Sequence, residues 1–286
     1  MRAERRTATV LAACLAGVLL AGCGQEPPRA DSDPDVEATG AATAGSATSG
    51  AASDHYGDGA WTRPEEDGAG DAERSPSGYT FTPDPKRVPK SADAARRLAE
   101  RAQLEPADWA AGMVRHEQYE SGGTWPVLGG DCVWSRGELP GHVLHTLTRR
   151  IDLPAKDGRG LLRGSVTISV HRSERDAERE IKDTVQESVR CPDQDLGGGR
   201  QLTGLSSLRF DERDVRNAES SLFESGKYSD SSSSGPQEYV WTKSRIGPVT
   251  TAISLKGAEG HKSGDLVRLA SDGLTRVLYR VELGLK

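Results

Sequence analysis

The chain has 286 residues, enough for one or two ordinary domains. Its formal net charge is −6; the acidic excess lies in residues 24–88, whereas the part from residue 89 onward carries a nearly balanced charge. Because a domain that binds nucleic acid normally presents a basic surface, this balance argues against a nucleic-acid partner.

The first 22 residues have the pattern of an export signal. A basic head is followed by an uncharged run that ends in Leu20-Ala21-Gly22-Cys23. This ending resembles the lipobox of bacterial lipoproteins, in which the cysteine receives a diacylglycerol and the signal is cut just before it. The resemblance implies that residues 1–22 are removed and that acyl chains on Cys23, such as palmitate, hold the protein at the extracytoplasmic face of the cell membrane. The alternatives are a transmembrane anchor and an ordinary secretory signal that contains a cysteine.

Composition divides the rest of the chain into two parts. Residues 23–88 comprise Cys23 and a segment rich in Ala, Gly, Ser, Pro and acidic residues, with few large apolar side chains. Such a segment buries too little surface to offset its chain entropy, so we predict a disordered tether. Residues 89–286 are predicted to form one extracellular domain, and no stretch in them approaches the roughly 18 apolar residues of a spanning helix.

Two cysteines, Cys132 and Cys191, remain if Cys14 leaves with the signal and Cys23 is lipidated. Disulfides form and persist in exported proteins, so we predict a bridge between these two. A thiol nucleophile or a metal pair would need partner residues that the sequence does not show.

The first predicted elements are a helix and two paired strands. Ser91 begins a helix whose apolar residues recur at helical spacing. Trp125 and Pro126 lie between glycines in a predicted loop, and a short strand follows at residues 132–135. The strands at 142–153 and 161–171 are joined by a polar, glycine-containing turn and are predicted to pair antiparallel.

Later elements complete the predicted fold. A charged helix spans Ser173 to Cys191, begins with a capping box and ends before Pro192. Four strand-like runs follow near residues 201–210, 219–223, 238–245 and 249–255, and a last helix begins near Asp265. The sequence therefore predicts an α+β fold, with an antiparallel meandering sheet and two or three helices packed on one side.

This order of elements resembles a known family. The strand Thr167 to His171, the charged helix that ends in Cys191-Pro192, the late strands and the closing helix are similar to the PknH-like extracellular sensor domain. The resemblance spans about residues 90–286 and implies a sensor-like domain with a cleft for an unidentified ligand. That domain is known as the outer domain of a membrane Ser/Thr kinase, where it has two cysteine pairs. This chain has one such pair and carries no kinase domain.

The sequence shows no catalytic constellation. It lacks a Gly-x-Ser-x-Gly elbow, a His-Glu-x-x-His motif and a Cys-x-x-Cys motif. His142 and His145, three apart on a strand, are expected on opposite faces and therefore do not suit one metal ion. We predict a protein that is not an enzyme and has no catalytic residues, metal site or cofactor.

Two classes of function remain open. The first is a sensor-like module that binds a small apolar or envelope-derived ligand, and it predicts an apolar pocket that includes Trp134, Tyr239 or Trp241. The second is a structural or protein-interaction module that contacts another envelope protein, and it predicts a filled core with an exposed apolar patch.

Overall fold

The computed structural model describes Tyr79, residues 81–211 and residues 217–286. In chain order the elements are α1 (Ala92–Ala102), α2 (Pro106–Trp109), β1 (Val114–Gly122), β2 (Thr124–Leu128), β3 (Trp134–Glu138), β4 (Val143–Leu153), β5 (Leu162–His171), α3 (Glu174–Arg190), β6 (Gln194–Gly197), β7 (Arg200–Asp211), β8 (Ser220–Ser229), β9 (Gln237–Ile246), β10 (Val249–Lys256) and α4 (Ser263–Leu285).

Eight strands form one antiparallel sheet in the order β1-β4-β5-β10-β9-β8-β7-β6, and β2 and β3 form a separate hairpin. The predicted pairing of β4 with β5 is confirmed, and so is the late meander of β7, β8, β9 and β10. The α+β class is therefore confirmed.

One face of the sheet carries the main hydrophobic core. Val249, Ile253 and Leu255 alternate along β10, are fully buried, and pack in one cluster with α1, α2 and α4. Trp109 at the end of α2 packs in the same cluster and donates from Nε1 to the Leu269 carbonyl oxygen of α4 at 2.9 Å. These three helices on one side match the predicted arrangement.

The helix α3 lies on the opposite face. Thr250 follows the core residue Val249 on β10, so its side chain points to the other side of the sheet. There it donates to Glu180 of α3 at 2.6 Å. Sequence analysis placed this helix and the last helix on one side of the sheet, whereas the structure has α3 and α4 on opposite sides.

Residues predicted as a loop form β2, which pairs with β3 in a hairpin. Trp125 pairs with Gly137, and Pro126 pairs with Arg136. Both strands are edges of a two-stranded sheet, where the N–H that proline lacks need not be paired. Pro126 is therefore compatible with a strand here, and the prediction of a loop at Trp125 and Pro126 was wrong.

The folded domain begins earlier than residue 89. Phe81 packs against the main core, and the Asp84 N–H donates to the Leu285 carbonyl oxygen at 2.8 Å. Residues 81–88, predicted as the end of the tether, therefore lie against the domain near the end of α4. The predicted signal, Cys23 and the rest of the predicted tether lie outside the described residues.

No helix of the described residues combines the length and the apolar character needed to cross a membrane.

Candidate ligand-binding site

A cavity of about 390 Å³ lies between the sheet and α3. Its floor is the face of β4, β5, β8, β9 and β10 that is turned away from the main core, and α3 lies over it. The β2–β3 hairpin and residues of β6 and β7 complete its lining. Ligand pockets in proteins have volumes of about 300 to 1,000 Å³, so the cavity is large enough for a small molecule.

The cavity exists because the floor strands carry small hydroxyl side chains. Thr146, Thr167, Ser169, Thr250 and Ser254 line it from three neighbouring strands. Some of them hydrogen-bond across strands, as Thr146 and Ser169 do at 3.1 Å. Their side chains are too short to fill the space beneath α3.

Four aromatic side chains, one of them Trp125 of β2, line the cavity from two directions. Tyr239 and Trp241 lie two apart on β9 and share a face, and Trp134 projects from β3. The indole Nε1 of Trp134 donates to Gln194 Oε1 at 2.7 Å, which fixes the ring. The structure thus brings the three predicted pocket residues together, while their contact with a ligand stays a prediction.

A buried charged cluster closes one end of the cavity. Glu180 of α3 accepts from Lys243 Nζ at 2.7 Å and from Thr250 Oγ1 at 2.6 Å, and it lies 2.8 Å from His171 Nε2. Burial alone would raise the pKa of Glu180, but the charge of Lys243 and the contact with His171 lower it below its usual value. This cluster fixes α3 to β5, β9 and β10.

Two other carboxyl groups in the cavity have raised pKa values. Burial raises the pKa of Glu187 on α3 and of Glu224 on β8. Ser207 donates to Glu224 at 2.9 Å and partly opposes this shift. The cavity therefore offers polar groups along its edge as well as an aromatic wall.

The disulfide predicted between Cys132 and Cys191 is present, with a Cα–Cα distance of 5.5 Å. It joins the segment before β3 to the residue that follows α3. Arg190 reinforces this connection, because its guanidinium donates to the Gly129 carbonyl oxygen at 2.7 Å and to that of Leu128 at 3.2 Å. The bridge therefore holds the hairpin, and with it Trp134, at the end of α3.

The hydroxyl, imidazole and carboxylate at the closed end do not form a catalytic triad. A triad needs one imidazole nitrogen toward the nucleophile and the other toward the carboxylate. In His171, Nε2 faces both Thr250 and Glu180, and Nδ1 is buried without a hydrogen-bond partner. The described residues also contain no group of three or more His, Cys, Asp or Glu that could hold a metal ion.

The two histidines considered as metal ligands lie apart, as predicted. His142 lines the cavity and stacks on His171 with ring centroids 6.0 Å apart. Burial lowers the pKa of His145, which lies toward Glu100 and Arg96 of α1 on the other face.

Several residues of the site escaped sequence analysis. Glu180 was counted among the solvent-facing charges of its helix, Lys243 received no role within its predicted strand, and Trp125 was placed in a loop. Their proximity depends on contacts between elements far apart in the chain. The one available signal was the alternation of β5 and β10, whose polar faces include Thr167 and Ser254.

No protein-family model matches this chain, and no curated protein matches it. Among solved structures, the fold is similar to the extracellular domain of PknH from Mycobacterium tuberculosis, with a TM-score of 0.42 and 8% sequence identity. The likeness covers 66% of this chain and 97% of that chain. The PknH domain is of the type that the sequence resembles. A likeness at this level assigns neither a ligand nor a role to this chain.

Proposed function

We propose that this chain is a non-enzymatic, sensor-like binding protein of the cell envelope, held at the extracytoplasmic face of the membrane by lipidated Cys23. Its ligand is a small molecule with an apolar part, bound in the cavity between the sheet and α3. The single observation that supports binding is the cavity of about 390 Å³ with Trp134, Tyr239 and Trp241 in its lining.

The cavity also favours this function over a structural or protein-interaction module. That alternative predicts a filled core with an exposed apolar patch, and the main core on the α4 side does consist of closely clustered buried side chains. The opposite face, however, combines rigid aromatic rings with convergent polar groups, the usual composition of small-molecule sites. A purely structural domain would gain stability from larger side chains at Ala252 or Ser254, which line the cavity floor.

Native mass spectrometry of the protein purified from its host tests this proposal. The native protein is expected to carry a co-purifying small molecule. The variant Ala252→Phe is expected to lose it, because the added ring occupies the floor of the cavity. The control Val189→Phe adds the same ring on the outer side of α3, where Val189 is 80% exposed, and is expected to retain the ligand.

A native protein with no added mass, together with no binding from extracts of its own envelope, would contradict the proposal. Retention of the same ligand by Ala252→Phe would also contradict it, since the ligand would then lie elsewhere.

The membrane anchor has a separate test. Replacing Cys23 with Ser removes the thiol that would carry the diacylglycerol, and stable attachment requires two acyl chains. The variant is expected to move from the membrane fraction to the soluble extracytoplasmic fraction. A Cys14→Ser control, within the predicted signal, should remain in the membrane fraction. If Cys23→Ser also stayed in that fraction, the anchor proposal would be wrong.

A further inference from the structure

A second cleft of about 520 Å³ adjoins the cavity between the sheet and α3, which we call the aromatic cavity. Ser254 and Lys256, at the end of β10, line both spaces. The two therefore lie side by side on the same face of the sheet. The aromatic cavity extends along β10 from Thr250 to Lys256, on the order of 20 Å at about 3.4 Å per residue.

The second cleft is strongly basic, although the domain as a whole is nearly neutral. Cationic side chains outnumber carboxylates in its lining. The cations are Arg136, Arg150, Arg163, Arg200 and Lys256, and the carboxylates are Asp152 and Asp230.

Both carboxylates already have partners. Asp152 Oδ2 lies 2.7 Å from His116 Nδ1, and Asp230 Oδ2 lies 3.4 Å from Arg163. Tyr228 and Ser232 also donate to Asp230, and these hydrogen bonds help to lower its pKa to about 2. Neither group is available to neutralise the remaining cations.

Four of the cations form no ion pair among the described residues: Arg136, Arg150, Arg200 and Lys256. Arg150 donates to a backbone carbonyl oxygen of β1, and Arg200 donates to carbonyl oxygens near β6. All four side chains line a cleft in which the described residues supply no carboxylate besides Asp152 and Asp230.

Lys256 lies at the boundary between the two spaces. It pairs with Tyr239 of the aromatic wall on one side and with Arg163 of the basic cleft on the other. Its ammonium is 5.2 Å from the centre of the Tyr228 ring. Burial and the nearby charges of Arg200, Arg163 and Arg150 lower the pKa of Lys256 to about 8.

We infer that the ligand is an anionic amphiphile, whose apolar part lies along the aromatic cavity and whose phosphate or carboxylate group binds Lys256, Arg200 and Arg150 in the basic cleft. This inference rests on the proposed function, because it assigns a chemical class to the ligand of the same site. Charge complementarity supports it, since an anionic head would supply the counter-charge that these cations lack.

Isothermal titration calorimetry of the full chain with three probes tests the inference. The probes are decyl phosphate, decanol and inorganic phosphate, each of the first two used below the concentration at which it aggregates. Decyl phosphate is expected to bind about tenfold or more tightly than decanol, because charge-assisted hydrogen bonds add to the apolar contact. It is also expected to bind more tightly than inorganic phosphate, which lacks the apolar part.

Charge-removing variants locate the head group. Lys256→Gln and Arg200→Gln are each expected to lower the affinity for decyl phosphate about tenfold. Arg200 lines only the basic cleft, so Arg200→Gln is also expected to leave the affinity for decanol unchanged. Arg200 is exposed, so its replacement tests the site even if Lys256→Gln fails to fold. The control Lys262→Gln removes an exposed charge that lines neither space and is expected to bind like the native protein.

The outcomes distinguish this inference from the proposed function. Equal binding of decanol and decyl phosphate would overturn the anionic head group and leave the small-molecule site in place. Inorganic phosphate that binds as tightly as decyl phosphate would show a site for free anions and overturn the amphiphile. If neither amphiphile bound, the inference would fall and the aromatic cavity would lose its proposed role as well.

Discussion

The two faces of the large sheet differ in almost every physical property. The face toward α1, α2 and α4 carries aliphatic side chains such as Ile253, Val166 and Val240, all fully buried. The face toward α3 carries hydroxyl, aromatic and charged side chains around a cavity. The same strands contribute to both faces because successive residues alternate.

The two faces therefore have different roles, one in folding stability and the other in the proposed ligand binding. Close packing on the α4 face supplies most of the apolar burial, which is the main favourable term in folding. The α3 face has only a small apolar cluster, around Leu202, Tyr228 and Tyr239, and retains polar groups that can contact a ligand. Variants on the first face should therefore change stability, and variants on the second should change binding more than stability.

The largest expected effect comes from a matched pair of tryptophans. Trp109 is 3% exposed and packs against Gly164 and Gly273, so Trp109→Ala should lower the free energy of unfolding by about 3 to 5 kcal/mol. Trp241→Ala, at the cavity, should cost less than about half as much and should weaken ligand binding. Urea denaturation of both variants measures the difference, and equal losses of stability would contradict the division between the faces.

The charged cluster under α3 is the exception on the cavity face, because it is structural. Glu180→Gln removes the ion-pair partner of the largely buried Lys243 and should cost about 3 kcal/mol at pH 7. The control Glu178→Gln breaks an exposed pair with Lys182 on the same helix and should cost less than about 1 kcal/mol.

The effect of Glu180 should depend on pH in a defined direction. Its pKa is lower in the folded than in the unfolded chain, so its contribution is complete above the unfolded value of about 4.3 and is lost as the pH falls below it. The stability difference between native protein and Glu180→Gln should therefore shrink between about pH 5 and pH 3. A difference that grows on acidification would refute this assignment.

Loss of the disulfide should have a slightly smaller effect. Cys132→Ala combined with Cys191→Ala should lower the free energy of unfolding by about 2 to 4 kcal/mol. The loss should be concentrated on the cavity face, because the bridge joins the hairpin to α3. Amide hydrogen exchange should therefore rise in β2, β3 and the end of α3 before it rises in α4. Uniform acceleration in all elements would contradict this local role.

Local patterns in the sequence predicted much of the fold. The capping residues Ser173 and Asp176 place the start of α3 correctly, since the Ser173 hydroxyl accepts from the Asp176 N–H. Period-two alternation places Tyr239 and Trp241 on one face of β9. Both signals act within a few residues, where propensity and geometry decide the structure.

The remaining features depend on contacts between distant segments. The alternation of β5 and β10 shows that each strand has a polar face, but it does not show that α3 covers these faces. Arg150, Arg200 and Lys256 come from β4, β7 and β10, which are separated in the chain and are not adjacent in the sheet, yet all three side chains line one cleft. Their convergence therefore appears only in the structure.

The smallest expected effect has the opposite sign and sharpens the contrast between the faces. Lys256 has its pKa lowered to about 8, because burial and three neighbouring arginines disfavour its charge. In the unfolded chain a lysine retains its proton up to a pH of about 10.4. The charge of Lys256 therefore lowers the free energy of unfolding by its full amount below pH 8, and this cost diminishes as the pH rises toward 10. Lys256→Met keeps the apolar stem and removes the charge.

This variant should therefore be more stable than the native protein at pH 7, by about 1 kcal/mol, since the open cleft screens part of the repulsion. The gain should disappear near pH 10, where Lys256 is uncharged in the native fold. Lys262→Met, at an exposed position, should show no gain at either pH. If Lys256→Met is more stable and no longer binds decyl phosphate, the chain retains an unfavourable charge because that charge binds the ligand. If the variant is less stable at pH 7, Lys256 has a structural role.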